Sequence, residues 1–391
     1  MNTKSNRSHR MWVLVALVVA VAVPAFAEDP PSNQELHDLY KVQQEQIDAT
    51  ADAIDEAKSE GTGAWFEKTH LGGYGELHFN FLDGSSGAGN KSEADFHRFV
   101  LFIDHEFSDK IRLYSEIELE HALTTGDAPG EVELEQAFIE FDLPTDLTAS
   151  AGLFLIPVGI LNETHEPTTF YGVERNPVEK NIIPTTWWEA GGMLSRRFDR
   201  GFRTDVAVTT GLQTGRDADE NFVIRGGRQK VAEANASDVA ITGRVIYSGH
   251  PGLEVGVAVQ WSEDVAANGE NTPATLFEGH VVYENGPFGL RALYARWDLH
   301  SDSAEAVGKD EQYGFYVEPS YRIFESLGIF ARYNQYNTSA GNSGGTMRQY
   351  DVGLNFWPHE GVVLKLDGQF QRNDNGAPEL DGVNLGLGFA F

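Results

Sequence analysis

The last residues of the chain show a pattern of apolar and polar positions that recurs along most of its length. In residues 381–391, Val383, Leu385 and Leu387 alternate with small or polar residues. A period of two with one apolar face predicts a β-strand. Such a strand is typical of a sheet edge in a soluble β-sandwich and of the lipid-facing wall of an outer-membrane barrel. Repetition of the pattern decides between these two interpretations.

The pattern repeats from about residue 70 onward, and the links between the strand-like segments alternate in length. Short links fall near residues 108–110, 144–146, 199–201, 249–252, 285–287, 325–327 and 358–361. Long links, rich in Gly, Asn, Asp and Ser, fall near 83–93, 123–130, 156–186, 213–236, 263–274, 300–310, 339–347 and 373–380. Seven tight turns interleaved with eight long loops predict sixteen strands, with every long loop at one end.

This arrangement predicts a membrane protein that crosses the bilayer with strands. Outer-membrane barrels have short periplasmic turns and long extracellular loops, whereas a soluble sandwich has no reason to collect its long loops at one end. An even number of strands closes the sheet, so no backbone edge is left unpaired in hydrocarbon. We therefore expect an all-β membrane protein, a 16-stranded antiparallel transmembrane β-barrel over residues 65–391.

The beginning of the chain predicts export. Residues 1–27 resemble a signal peptide: basic residues precede an apolar run over 11–23, and Ala25-Phe26-Ala27 forms a small-x-small cleavage site. The apolar run is too short for a stable transmembrane helix. We expect the cell outer membrane as the location.

Residues 28–64 are expected to form a periplasmic helical segment that ends in a glycine hinge. Within 33–58, Tyr40, Ile47 and Ile54 recur every seven residues, which is the spacing of a coiled coil. Polar residues occupy some of the other seam positions. The segment is therefore either a short periplasmic coiled coil that helps to assemble a trimer or a solvated helical spacer.

Charge excludes one class of partner. Without the signal peptide the chain has 26 basic and 59 acidic residues, a formal net charge of −33. A surface this acidic repels nucleic acid, so we expect no nucleic-acid partner. The chain has no cysteine, which excludes a disulfide framework.

A barrel of sixteen strands is too wide for its own side chains to fill and encloses a water-filled channel. The inward side chains then line this channel. We expect most inward charged side chains to form cross-strand pairs that only stabilise the wall. In segments 131–143 and 288–299 the sequence does not decide which alternate set of side chains points into the barrel. The alternation elsewhere turns charges of both signs inward: Arg98, Arg112, Glu116, Glu118, Arg197, Arg203, Arg244, Glu278, Glu318, Arg322 and Arg332.

The link over residues 156–186 is the longest, and a loop of this length is usually functional. Its apolar residues, including Leu161, Phe170 and Ile182, are more than a freely solvated loop needs, so we expect them to anchor it against the barrel wall. An extracellular lid or a trimer contact is the alternative. The anchored loop would present these residues at a constriction: Glu163, His165, Glu166, Glu174, Arg175, Glu179 and Lys180.

This region resembles a known family. The matching motifs are Gly152-Leu153-Phe154, Pro157-Val158-Gly159, Thr169-Phe170 and Glu174-Arg175-Asn176-Pro177. They are similar to the third-loop region of the phosphate-selective porin O/P family. The resemblance implies a homotrimeric outer-membrane porin whose third loop folds into the pore and narrows it. It also implies inward arginines and lysines that pass anions.

The charges of the loop depart from that family. The loop carries two basic residues, Arg175 and Lys180, against four glutamates. Acidic rings favour cations and basic rings favour anions. We therefore expect a channel for passive diffusion of small hydrophilic solutes or ions, with weak selectivity or a mild cation preference. An anion- or phosphate-selective porin is the alternative, and outer-membrane lipids are the expected surroundings.

Two functions of other classes are alternatives to a channel. An enzyme would need a nucleophile with its base, but the chain has no cysteine nucleophile, and its histidines, such as His78, His97, His105, His121 and His280, are scattered singly. No His-x-x-x-His or His-Glu-x-x-His spacing indicates zinc. We expect no catalytic residue, no metal and no cofactor. A non-conducting structural anchor of the outer membrane is the further alternative, and conductance decides it.

Overall fold

The computed structural model describes the barrel region and leaves the predicted signal peptide and helical segment outside the described residues. Both remain predictions. Among the residues described, no helix is long and apolar enough to cross a membrane. The described ranges are 65–123, 130–215, 221–266, 271–342 and 345–391.

Within the described ranges, sixteen antiparallel strands form one closed barrel, in which each strand pairs with its sequence neighbours and β1 pairs with β16. The strands are β1 (Thr69–Ser85), β2 (Lys91–Ser108), β3 (Ile111–Glu120), β4 (Val132–Leu143), β5 (Leu147–Leu155), β6 (Trp188–Phe198), β7 (Phe202–Thr210), β8 (Val239–His250), β9 (Leu253–Ser262), β10 (Ala274–Asn285), β11 (Phe288–Leu299), β12 (Glu311–Phe324), β13 (Leu327–Asn337), β14 (Met347–His359), β15 (Val362–Gln371) and β16 (Glu379–Ala390). The predicted strand number and alternation of short and long links are confirmed.

Helical structure in the described part of the chain is brief. Helix α1 spans Val178–Asn181 and helix α2 spans Asp302–Ala306. Single 3₁₀ turns occur at Trp65–Lys68, Asp199–Gly201, Ile224–Gly227 and Asp374–Gly376.

The strands present two different faces, as their sequence alternation requires. On β9, Val255, Val257 and Val259 are exposed on the outside of the barrel, whereas Ala258 and Gln260 are buried inside it. The outward apolar side chains form an exposed apolar band, as expected for the wall of a membrane barrel, and the inward polar ones line the lumen.

A β-bulge in β2 turns two consecutive side chains into the lumen. Glu76 of β1 pairs with Arg98, and the next residue, Leu77, pairs with Phe96, so His97 is an extra residue. Bulges re-aim side chains at functional sites. Both His97 and Arg98 therefore contribute to the pore lining.

A second bulge lies in β4 and explains why its phase was ambiguous. Gln136 pairs with Glu116 and Leu134 pairs with Ile117, which leaves Glu135 as the extra residue. On the long-loop side of the bulge, the odd-numbered residues of β4 face inward. On the short-turn side of the bulge, the even-numbered residues face inward. Each phase is therefore correct for one half of the strand.

The inner face of β11 is apolar because it is covered. Leu293, Ala295 and Trp297 point inward and are buried, while Arg296 lies on the outer face. The segment of residues 156–187 between β5 and β6, which we call the inner loop, packs on this face.

The hydrophobic core therefore lies inside the barrel, between the inner loop and one side of the wall. Phe222 and Ile224 of the β7–β8 loop join it. The inner-loop members are Ile156, Val158, Ile160, Leu161, Phe170, Val178, Ile182, Ile183 and Trp187. The wall members are mostly on β10, β11 and β12: Ala274, Leu276, Leu293, Ala295, Trp297, Leu299 and Tyr316. The predicted apolar anchoring of the loop agrees with this packing.

Candidate functional site

The two ends of the inner loop are joined by one asparagine. The Nδ2 of Asn162 donates to the carbonyls of Ile156 at 2.8 Å and Trp187 at 3.0 Å, and its Oδ1 accepts the N–H of Trp187 at 2.8 Å. Asn162 is fully buried, so these bonds do not compete with water. The loop thus leaves and re-enters the wall at fixed positions.

Glu179 holds the loop together and does not face the pore, which corrects its predicted place at the constriction. Its Oε1 accepts the N–H groups of Ile160 and Leu161, both at 2.7 Å. Its Oε2 accepts hydrogen bonds from Asn176 at 3.1 Å and from the hydroxyl of Tyr316 at 2.8 Å. A carboxylate with this many donors is satisfied without solvent, so it can be buried.

The middle of the inner loop is fixed to β15. The Nζ of Lys365 donates to the carbonyl of Gly172 at 2.8 Å and lies 3.7 Å from the ring centroid of Phe170. The carboxylate of Asp367 accepts the N–H of Val173 at 2.6 Å. Backbone groups of the loop are therefore paired with the wall instead of water.

Glu174 reaches the wall at β1. Its Oε1 accepts a hydrogen bond from Asn80 at 3.1 Å and lies 3.2 Å from Nδ1 of His78. Burial alone would raise the pKa of Glu174, but its hydrogen bond to His78 and the positive charge of His78 lower that pKa well below its usual range. Glu174 is therefore ionised at its contact with the inside of the barrel wall.

His165 meets two glutamates of the opposite wall. Its Nε2 lies 3.4 Å from Glu116 and 3.6 Å from Glu135, and its Nδ1 lies 3.0 Å from the carbonyl of Asn162. Burial lowers the pKa of His165, but the two carboxylates beside its Nε2 raise that pKa to about 10. A protonated imidazole therefore bridges the loop and the wall formed by β3 and β4.

Four of the predicted lumen arginines are each paired with two carboxylates, so the wall neutralises most of their charge. The pairs are Arg98 with Glu76 at 2.7 Å and Glu118 at 3.4 Å, Arg112 with Glu140 at 2.7 Å and Asp142 at 2.6 Å, Arg244 with Asp205 at 2.8 Å and with Glu163 of the inner loop, and Arg332 with Glu318 at 3.0 Å and Asp351 at 3.1 Å. They link neighbouring strands and, through Glu163, the loop to the wall.

The other predicted lumen arginines lie toward the short-turn end. Arg203 contacts Asp205 at 2.9 Å, and Arg197 is exposed beside it in the same cavity. Arg322 lies at the rim, where its guanidinium is 3.7 Å from the ring centroid of Trp357. Arg197 and Arg203 share that cavity with Glu163 of the inner loop, and Tyr171 of the loop packs on the same tryptophan with 5.6 Å between ring centroids.

The remaining predicted residues lie in three places: the barrel wall, the inner loop and the opening of the barrel. Glu278 is buried and contacts His280 at 2.8 Å, so it is a wall residue. Glu166 is half-buried in the inner loop. Lys180 is exposed at the opening, and its carbonyl accepts a hydrogen bond from Arg225 at 2.6 Å.

Two polar cavities lie inside the barrel on the side away from the core. The outer cavity, of about 380 Å³, is at the long-loop end, and the inner cavity, of about 720 Å³, is at the short-turn end beside β3–β7. Seven basic and six acidic side chains line the outer cavity: Lys91, Arg98, Arg175, Lys180, Arg225, Arg228 and Lys230, and Glu76, Glu93, Asp95, Glu120, Glu133 and Glu174.

The charges of the outer cavity are separated in space. The wall formed by β1–β4 carries five of the six carboxylates, and the two loops carry five of the seven basic groups. Burial, and then the charges of Arg228 and Arg175, lower the pKa of Arg225 to about 10. The basic side chains are thus crowded on one side and the acidic ones face them.

Sequence reasoning missed several of these residues. Arg225 and Arg228 lie in a loop whose apolar anchors, Phe222 and Ile224, were not recognised. His97 and Glu135 are the bulged residues. A signal for both bulges exists in the sequence, since outward apolar residues there are three positions apart instead of two, as at 96 and 99 and at 134 and 137.

Comparison with known proteins identifies the family. Residues 14–376 match the sequence profile of Gram-negative porins. The chain belongs to the Gram-negative porin family. The porin is 29% identical over 337 residues to an uncharacterized protein of Aquifex aeolicus (strain VF5), a match that covers 76% of this chain and 74% of that protein.

Solved structures agree with the fold. The outer-membrane channel DcaP of Acinetobacter baumannii matches with a TM-score of 0.59 and 14% identity, covering 83% of the porin and 97% of DcaP. OmpF of Salmonella typhi, solved as a complex with daunomycin, matches with a TM-score of 0.55 and 13% identity, covering 83% and 97%. The trimer form of OmpT of Vibrio cholerae matches with a TM-score of 0.55 and 10% identity, covering 83% and 99%.

Family and fold together make the porin an outer-membrane channel for passive diffusion of small solutes. They indicate a channel and not an enzyme.

Proposed function

We propose that solutes cross this porin between the inner loop and the wall formed by β1–β7. The observation that carries the proposal is the position of the two polar cavities, one toward each end of the barrel on that side. The opposite side is filled by the apolar contact between the inner loop and β10–β12. Water and hydrophilic solutes are excluded from such a core, so they must follow the polar side.

The layer between the cavities is formed by His165 of the inner loop and by Glu116, Glu118 and Glu135 of the wall. Along β3, Arg112 belongs to the inner cavity and Glu120 to the outer one, and the two glutamates of β3 lie between them. These four side chains are at most 3% exposed, so this layer is the narrowest part of the proposed route and His165 must separate from the wall for a solute to pass. We assign the constriction to this layer, together with Glu163, Glu174 and Arg175 of the loop.

We expect the channel to be weakly selective. A strongly anion-selective pore needs basic side chains whose charge is available to the passing ion. Here Arg98, Arg112, Arg244 and Arg332 each contact two carboxylates, which favours structural pairing over anion binding. The outer cavity has seven basic and six acidic side chains, and the inner cavity has three basic and four acidic ones. These nearly balanced charges support passage of ions of both signs, and the acidic excess of the inner cavity favours at most a mild cation preference.

An anion- or phosphate-selective porin is the second candidate. The resemblance to the phosphate-selective porin O/P family suggests it. The basic groups on the loop side of the outer cavity, Arg175, Lys180, Arg225 and Arg228, also favour it. In that case the loops, and not the arginines of the wall, would bind the anion.

A reversal-potential measurement tests the proposal. The mature protein would be reconstituted in a planar bilayer with a potassium chloride gradient. A reversal potential near zero, or one mildly favouring potassium, is expected. A potential that strongly favours chloride would support the second candidate, and the absence of any conductance would contradict both and favour a structural anchor.

We further propose that the protein is a homotrimer in outer-membrane lipid and that residues 1–27 direct its export. The trimer form described for the similar OmpT structure supports the assembly. Light scattering of the detergent-solubilised protein should give three copies, and sequencing of the mature N-terminus should begin after Ala27. A monomer, or a mature chain that keeps residues 1–27, would contradict these two statements respectively.

A further inference from the structure

Three side chains that can bind a metal meet on the wall of the outer cavity. Both Oδ atoms of Asp95 lie 2.9 Å from Nδ1 of His121, and Oδ2 of Asp95 lies 3.0 Å from Nδ1 of His97. The centroids of the two imidazole rings are 5.3 Å apart. Two histidines that are distant in the sequence thus converge on one carboxylate.

The main chain fixes this arrangement. His97 is the bulged residue of β2, which turns its ring inward beside Asp95. His121 follows β3 and has a φ of 49°, in the left-handed region, so the chain turns back toward β2 there. Its N–H donates to the carbonyl of His97 at 3.0 Å, and the N–H of Ala122 donates to the carbonyl of Phe96 at 3.0 Å. The backbone therefore sets the separation of the two histidines.

The donor set suits a divalent transition metal. One ligand atom from each of Asp95, His97 and His121 lies within 4.8 Å of the others. Zinc binds imidazole nitrogen at about 2.0–2.1 Å and carboxylate oxygen at about 2.0–2.2 Å, so its ligand atoms lie roughly 3–4 Å apart. The distances of 3.0 and 2.9 Å from Oδ2 of Asp95 to Nδ1 of His97 and of His121 are close to that spacing. Two imidazoles and one carboxylate match zinc, copper and nickel better than magnesium or calcium.

The site is open on one side and supported on the other. Its three side chains are between 21% and 34% exposed and line the outer cavity, so water can complete the coordination. The ring of His78 stacks on His97 with a centroid distance of 4.9 Å, and His78 is itself held by Glu76 and Glu174, each at 3.2 Å. Such outer contacts orient metal ligands.

We propose that Asp95, His97 and His121 bind one divalent transition-metal cation at the mouth of the pore. The sequence predicts no metal because one histidine lies in β2 and the other just after β3, without a metal-binding spacing. The two histidines become neighbours only when the chain folds. A bound dication adds positive charge to the acidic side of the outer cavity and opposes cation entry; this consequence rests on the proposed route.

Zinc binding to the mature, detergent-solubilised porin tests the site. Competition with a chromogenic zinc indicator should give one bound Zn²⁺ per chain. The near-isosteric variants Asp95→Asn, His97→Gln and His121→Gln should each weaken binding by at least about tenfold. His300→Gln removes an exposed histidine in the β11–β12 loop and is the matched control, with unchanged binding. Circular dichroism verifies that each variant is folded.

Two outcomes would overturn the site: less than one bound Zn²⁺ per wild-type chain, or wild-type affinity in all three variants. Conductance separates this proposal from the proposed route. Zinc added on the long-loop side should reduce the potassium current of the wild type and of His300→Gln but not of His97→Gln. An unaltered wild-type current despite zinc binding would contradict the route along the acidic wall and leave the metal site standing.

Discussion

The hydroxyl of Tyr316 on β12 donates a hydrogen bond of 2.8 Å to the carboxylate of Glu179 in the inner loop. The same carboxylate accepts two backbone N–H groups from the beginning of that loop, at Ile160 and Leu161. One buried side chain therefore folds the loop on itself and attaches it to the barrel wall. On the proposed route the loop forms one side of the pore, so we expect the width of the pore to depend on this attachment.

Replacing Glu179 should release the loop. Glu179→Ala leaves two buried N–H groups and a buried hydroxyl without their acceptor, and each such group costs about 1–3 kcal/mol. We expect a loss of at least about 3 kcal/mol in the free energy of unfolding and a larger, noisier single-channel conductance. Glu166→Ala, in the same loop but half-buried, is the control with wild-type stability. A quiet wild-type conductance in Glu179→Ala would contradict this role.

The contact between Trp297 and the inner loop should be a second attachment. The Nε1 of Trp297 donates to the carbonyl of Ile182 at 3.0 Å, and its ring centroid is 6.1 Å from that of Trp187. Trp297→Ala removes this packing and leaves a cavity. Truncation of a buried tryptophan to alanine lowers the free energy of unfolding by about 3–5 kcal/mol. Chemical denaturation should detect the loss, together with added channel noise. Trp261→Ala, which removes an outward tryptophan, should leave the noise unchanged.

Stability should depend on pH through His165. The folded state raises the pKa of His165 to about 10, above the unfolded value of about 6.5, so protonation favours folding. Its contribution is complete below about pH 6.5 and is lost as the pH approaches 10. The difference in unfolding free energy between wild type and His165→Gln should therefore shrink over that interval. A difference that stays constant with pH would contradict the ionised bridge, and His300→Gln should track the wild type throughout.

The separated charges of the outer cavity should act in opposite directions on selectivity. Glu120→Gln removes negative charge from the wall, and Arg228→Gln removes positive charge from the loop side. The reversal potential should shift toward chloride in the first variant and toward potassium in the second. Arg196→Gln, on the outer face of β6, should cause no shift. Shifts of the same sign in both variants would refute the separation.

The sequence predicts the barrel well because a strand presents its side chains to two faces in turn. That alternation, with tight turns such as Pro144-Thr145-Asp146, is a local property that needs no knowledge of the partner strands. The predicted strand number and loop order therefore agree with the structure. The inner loop was also recognised, since Phe170 and Ile182 make little sense in a solvated loop.

The features that the sequence does not predict are those that depend on contacts between distant segments. His97 and Glu135 enter the lumen through bulges that interrupt the period of two. Trp297 points inward although it is apolar, because the inner loop covers it. Glu179 looks like any other loop glutamate, and only the folded loop brings four donors to its carboxylate.

We propose that the route runs between the inner loop and the β1–β7 wall, and thiol accessibility tests this route most directly. The chain has no cysteine, so an introduced thiol is unique. A bulky thiol reagent added to Arg175→Cys, at the outer cavity, should remove most of the current in discrete steps. Leu276→Cys, inward but buried under the inner loop, should be neither labelled nor blocked. An unaffected current in Arg175→Cys, or an equal block in Leu276→Cys, would contradict the account.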